Sequence, residues 1–118
     1  MTTTAPDRKA LRAQYKQTHP EAGVYRIVNG ATGKALLGST ANLIALRNKL
    51  AFAHSVNSPG ALDGRLQQDI RTFGFAAFTL EVLEVLDTPP ELTGAAIAAD
   101  LATLEALWRE RFDAAELY

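Results

Sequence analysis

The stretch GVYRIVNGATGKALLG, residues 23–38, decides how this chain is read. From Val24 to Asn29 the side chains sort by twos. Tyr25, Ile27 and Asn29 fall to one side, and Val24, Arg26 and Val28 to the other, the spacing of a β-strand. Asn29-Gly30 through Gly33 carries turn chemistry, and Lys34 to Gly38 returns as a second strand. The stretch is therefore a β-hairpin.

Upstream, residues 1–6 read as a tail. Asp7 can cap a short, basic, amphipathic helix, DRKALRAQYKQ, with Leu11 and Tyr15 on one face. His19-Pro20 ends it, because a residue before proline disfavours the helical region. Downstream, Ser39 or Thr40 can cap a helix from Ala41 to His54 with an apolar stripe of Leu43, Leu46, Leu50 and Ala53. Asn57-Ser58-Pro59-Gly60 breaks the chain. A second helix follows from Ala61 to Phe73, with Leu62, Leu66, Ile70 and Phe73 on one face, and Gly74 stops it. The segment from Phe78 to Leu86, FTLEVLEVL, is short and rich in strand formers, so it reads as a third strand. Pro89-Pro90 forces a loop before a last helix from Thr93 to Phe112, with Ile97, Leu101, Leu104, Trp108 and Phe112 in register. The expected fold is α+β: a small three-stranded sheet, the hairpin plus one strand, flanked by helices. Residues 1–21 form a tail and basic helix, and residues 22–118 the domain.

At 118 residues the chain holds one packed core. Its 47% apolar and 21% charged residues are ordinary for a globular protein. The absence of cysteine excludes disulfides, thiolate metal sites and a cysteine nucleophile. The two histidines, His19 and His54, lack ligand spacing. No signal-peptide pattern and no apolar run near the ~18 residues of a membrane span is present, so a cytoplasmic location without membrane partners is expected. Net charge is −1, but its distribution is uneven. Residues 1–60 hold eight basic side chains against two acidic ones, and residues 61–118 hold four against eleven. Either one face is marked for an anionic partner, or the halves neutralise each other across the fold.

The order of elements, with Gly23-Val24-Tyr25 opening one strand and Leu36-Leu37-Gly38 closing the next, resembles the GIY-YIG nuclease superfamily over about residues 22–112. The NGATGK turn, LLGST, Asn42-Leu43 and LEALW in the last helix carry the rest of the likeness. The resemblance implies phosphodiester cleavage with one divalent metal, Mg²⁺ or Mn²⁺. It also implies a tyrosine pair from the hairpin, an arginine on the following helix and a metal-binding glutamate on a later one. The chemistry is coherent: a metal polarises the phosphoryl oxygen, a cation meets developing negative charge, and a phenol relays a proton.

The residues match unevenly. Tyr25 matches the first tyrosine, with a core-packed strand aromatic as the other reading. The second tyrosine falls on Leu36, which has no proton to give. Lys34, two residues earlier on the same sheet face, either presents a cation there or is solvated at a strand end. The implied arginine position, eight after Gly38, is Leu46, and Arg47 is one late. One residue on a helix is about 100°, so Arg47 is either re-aimed by a longer entry or a border residue of the apolar stripe. Glu105 matches the metal ligand, suited to a hard cation. It is equally placed to pair with Arg109 at i, i+4. Arg26, Lys34 and Lys49 in the basic half are candidates for contacts to nucleic-acid phosphates.

The resulting expectation is a GIY-YIG-type domain that binds nucleic acid, DNA before RNA, with cleavage weakened or lost. An active metal-dependent endonuclease using Tyr25, Arg47 and Glu105 is the alternative. A protein-interaction module using the acidic half is a third.

Overall fold

The computed structural model describes residues 21–89 and 91–118; the basic helix expected within residues 7–17 lies outside them. Strand β1 (Gly23–Asn29) and strand β2 (Ala35–Thr40) form the hairpin, with Tyr25 opposite Gly38 and Ile27 opposite Leu36. The turn is built by Asn29. Its Oδ1 accepts from the Ala31 amide at 2.9 Å and its carbonyl from the Gly33 amide at 2.7 Å. Gly33 has φ +80°, a conformation that side chains with a Cβ resist. Strand β3 (Phe78–Val85) pairs antiparallel with the other edge of β1, giving the order β2-β1-β3. The hairpin's first strand is thus central, which is why Val24 and Ile27, on opposite faces, are both buried.

Helix α1 (Leu43–Ser55) begins later than the sequence suggests. Ser39 and Thr40 remain in β2, and Asn42 is the cap, its Oδ1 accepting from the Ala45 amide at 2.9 Å. Thr40 turns the chain by accepting from the Asn42 amide at 3.1 Å. Helix α2 (Gly64–Phe73) also starts late, because a 3-10 turn over Pro59–Ala61 comes first and Asp63 supplies the cap. Gly74 closes α2, donating its amide to the Ile70 carbonyl at 2.7 Å. Helix α3 (Gly94–Arg109) is capped by Thr93 and stops three residues short of Phe112.

The sheet lies between two layers. Leu66 and Ile70 of α2 meet Ile27 and Leu36 in the main core, with Leu50 of α1 and Phe78 and Leu80 of β3 packed around them. Phe73, placed on this face by periodicity, is instead 43% exposed. At Gly74 the chain turns back, and Phe75 packs against the core instead. Helix α3 covers the opposite face, where Leu101 is buried and Trp108 Nε1 donates to Glu84 at 2.8 Å. The C-terminus is tied to the hairpin. The Tyr118 amide donates to the Ala35 carbonyl at 3.0 Å, and its hydroxyl to Asp69 at 2.6 Å. No helix among the described residues is long and apolar enough to cross a membrane.

Candidate active site at the end of the hairpin

A pocket of about 510 Å³ opens where β1 and β2 meet the two helices of the core face, and Tyr25 and Glu105 both line it. Tyr25 reaches it because Gly38 lies opposite. A Cβ on Gly38 would stand 2.6 Å from the phenol oxygen and 2.8 Å from Cζ. The glycine therefore makes room for the ring. Burial raises the Tyr25 pKa above 10.0, and the charges of Glu105 and Asp63 raise it further, while Arg65 opposes them. The phenol is protonated at neutral pH.

Glu105 arrives from α3, and its carboxylate is anchored at both oxygens. Ser39 Oγ of β2 donates to Oε1 at 2.9 Å, and Arg109 Nη2 donates to Oε2 at 3.3 Å. The pairing with Arg109, one of the two readings of Glu105 in the sequence, is present, and the carboxylate also lines the pocket. A third polar group sits at the start of α2. Asp63 Oδ1 accepts from the Arg65 amide at 2.9 Å as the helix cap, and from Arg65 Nε at 3.0 Å. Arg65 Nη2 closes the fork on Oδ2 at 2.9 Å. These bonds from Arg65, with a further contribution from the Lys49 charge, hold the Asp63 carboxyl down to about 2. Lys49, Asp63, Arg65 and Arg109 all line the same pocket.

Leu36 lies at its apolar base, 4% exposed and continuous with Ile27, Leu66 and Ile70. The side chain at position 36 is thus buried hydrocarbon at the pocket floor. The other residues singled out in the sequence lie elsewhere. Arg47 lines a second pocket of about 160 Å³ with His54, whose ring stacks on Phe75 at 5.3 Å. Leu46, one residue earlier, lines the first. Arg26 points to the α3 face, where it pairs with Glu81 at 2.6 Å and lies over Phe112. Lys34 sits over the Tyr118 ring, 5.8 Å from its centroid. Of the six candidates, Tyr25, Lys49 and Glu105 come together; Arg47, Arg26 and Lys34 do not join them.

Sequence reasoning missed Ser39, Asp63 and Arg65. The sequence places the start of α2 at Ala61, whereas Asp63 caps it. That this cap faces the hairpin depends on how α2 crosses the sheet, which no local pattern encodes.

Among solved structures, the catalytic domain of the intron endonuclease I-TevI, in an alanine-substituted form, matches 77% of this chain and 82% of its own, with a TM-score of 0.55 at 15% identity. The fold is that of the GIY-YIG nucleases. At that identity the likeness is one of fold. No protein-family model matches the sequence, and no curated protein does.

GIY-YIG nucleases are generally dependent on a divalent metal. Among the described residues no cluster of three or more histidine, aspartate or glutamate side chains could hold one. The donor set here is one carboxylate, with a hydrogen bond on each oxygen and lone pairs remaining on both. That fits Mg²⁺ or Mn²⁺, since a hard cation that keeps most of its waters needs only one or two carboxylates.

Proposed function

We propose that this domain binds nucleic acid, DNA before RNA, by placing a phosphodiester in the Tyr25–Glu105 pocket, and that its cleavage activity is weakened. The observation that carries this reading is the joint lining of one pocket by Tyr25, Glu105, Lys49 and Arg65 above a buried Leu36. Three cations, Lys49, Arg65 and Arg109, face two carboxylates there. The pocket is locally positive in a chain of net charge −1, as an anionic ligand requires.

Mg²⁺ or Mn²⁺ would be held by Glu105, supplying Lewis-acid polarisation of a phosphoryl oxygen. Ser39 and Arg109 keep that carboxylate oriented. Tyr25 holds a proton at its phenol oxygen, and no second phenol is available at Leu36 to pass one on. The loss of one transition-state contact commonly costs about 10²–10³ in rate, which motivates weakened cleavage.

The test incubates the full chain with labelled single-stranded, duplex and branched DNA, and with RNA, with and without Mn²⁺. Binding at ~50 mM salt that falls as salt rises is expected, with slow cleavage that disappears in Glu105→Ala. Failure to bind any of the four probes at ~50 mM salt would sink the reading and favour a protein-interaction role. A second reading, a fully active endonuclease with a rearranged site, is favoured by the cations Lys49 and Arg65 standing where Arg47 does not reach. Fast, Glu105-dependent turnover of a probe would select it.

A further inference from the structure

The pocket has a phenol and a carboxylate, but the arginine of the first helix points away from it. We infer that Arg65, from the first turn of α2, is the guanidinium that contacts the phosphodiester, with Asp63 fixing its plane. The inference rests on the nucleic-acid reading above and names the cation that reading leaves open.

Three observations carry it. Arg65 lines the same pocket as Tyr25 and Glu105, whereas Arg47 lines the apolar pocket next to it. The Arg65 fork is already docked on Asp63 through Nε and Nη2, so its orientation is set before any ligand arrives. Those two bonds use two of five N–H donors. The remaining three have no acceptor among the described residues, and a planar guanidinium matches phosphate oxygens in pairs. Lys49 stands nearby as a point charge without that directionality. The Arg65 charge is also felt by the Tyr25 phenol, consistent with one shared site.

The site is therefore assembled differently from the one the hairpin motif suggests. Its arginine comes from the second helix of the core face, eighteen residues further along the chain. Helix α1 contributes Leu46 and Lys49 instead.

The experiment is fluorescence anisotropy on the full chain with a fluorescein-labelled DNA duplex, without divalent metal, from ~50 to ~200 mM salt. Arg65→Ala alone would leave the Asp63 carboxylate unpaired and repel the probe by itself. The substitution is therefore read in an Asp63→Asn background, where asparagine preserves the helix cap. Adding Arg65→Ala to Asp63→Asn should weaken binding and flatten the slope of log K against log salt by about 0.9, one phosphate contact. Arg47→Ala should change neither. The Arg65 side chain is 54% exposed, so an unchanged unfolding temperature is expected and checks the fold. An unaltered slope on removing Arg65, or a slope that falls with Arg47→Ala instead, would overturn the inference while leaving nucleic-acid binding intact. A chain that binds none of the four nucleic-acid probes overturns both, and if another probe binds while the duplex does not, the same comparison is read on that probe.

Discussion

Two pockets share one wall and have opposite characters. Ile27, Leu50, Leu62 and Leu66 line both. Toward β2 the wall opens on Tyr25, Lys49, Asp63, Arg65 and Glu105; toward β3 it opens on Phe75, Phe78 and Leu80, with Arg47 and His54 at its polar end. The boundary runs along α1, between Leu46 and Arg47. One residue of helical rotation, about 100°, decides whether a side chain meets the polar pocket or the apolar one. The difference teaches that a displaced motif residue is not repaired by flexibility in this fold. The cations lining the polar pocket are instead Lys49 of α1, Arg65 of α2 and Arg109 of α3.

The largest expected effect falls on the shared wall. Leu66 is 1% exposed, and Leu66→Ala should cost about 2–5 kcal/mol, the usual range for a buried leucine. Thermal or urea unfolding measures it. A loss well under 1 kcal/mol would mean that the two pockets do not rest on a common core. A smaller effect, about 1–3 kcal/mol, is expected from Gly38→Ala, since the new Cβ collides with the Tyr25 hydroxyl. The clashing atoms are at the far end of a movable side chain, so the phenol should swing away while the domain stays folded. Tyr25 chemical shifts should move, and those of His54 in the second pocket should not.

The hairpin, the third strand and the stop at Gly74 were legible because each is a local pattern of turn chemistry or periodicity. Tyr25 and Glu105 were legible through motif resemblance, and the structure brings them to one pocket. The late starts of α1 and α2 were hidden by competition among neighbouring cap residues. Ser39 and Thr40 can cap a helix, but β1 takes them into its ladder and leaves Asn42 to do so. Arg65 was hidden for a different reason. Its place in the polar pocket depends on α2 lying beside α1 over the hairpin, a long-range arrangement with no signature near position 65.

On the apolar side, the ring of His54 stacks on Phe75 at 11° between planes. His54→Ala should cost about 0.5–1.5 kcal/mol, toward the low end because the imidazole faces solvent. Duplex binding should be unchanged. A loss of binding comparable to that from removing Arg65 would dissolve the distinction between the two pockets.

The finest test reads the polar pocket through its phenol. Burial is the leading reason that Tyr25 titrates above its ordinary value of 10.0, and the Glu105 charge is the next. In Glu105→Gln the second cause is gone and the first remains, so the midpoint should fall toward 10 without reaching it. Specific labelling of the tyrosine Cζ and NMR across alkaline pH separates Tyr25 from Tyr118, whose value is also raised. The sign for stability follows from linkage. A phenol whose folded value is raised contributes stability that is complete below its unfolded value and lost as pH climbs through the folded one. The alkaline decline should therefore begin near pH 10 in both proteins and extend less far in Glu105→Gln. An unmoved Tyr25 midpoint in that variant would mean that carboxylate and phenol do not share a field. The polar pocket would then be a cleft with two unrelated walls.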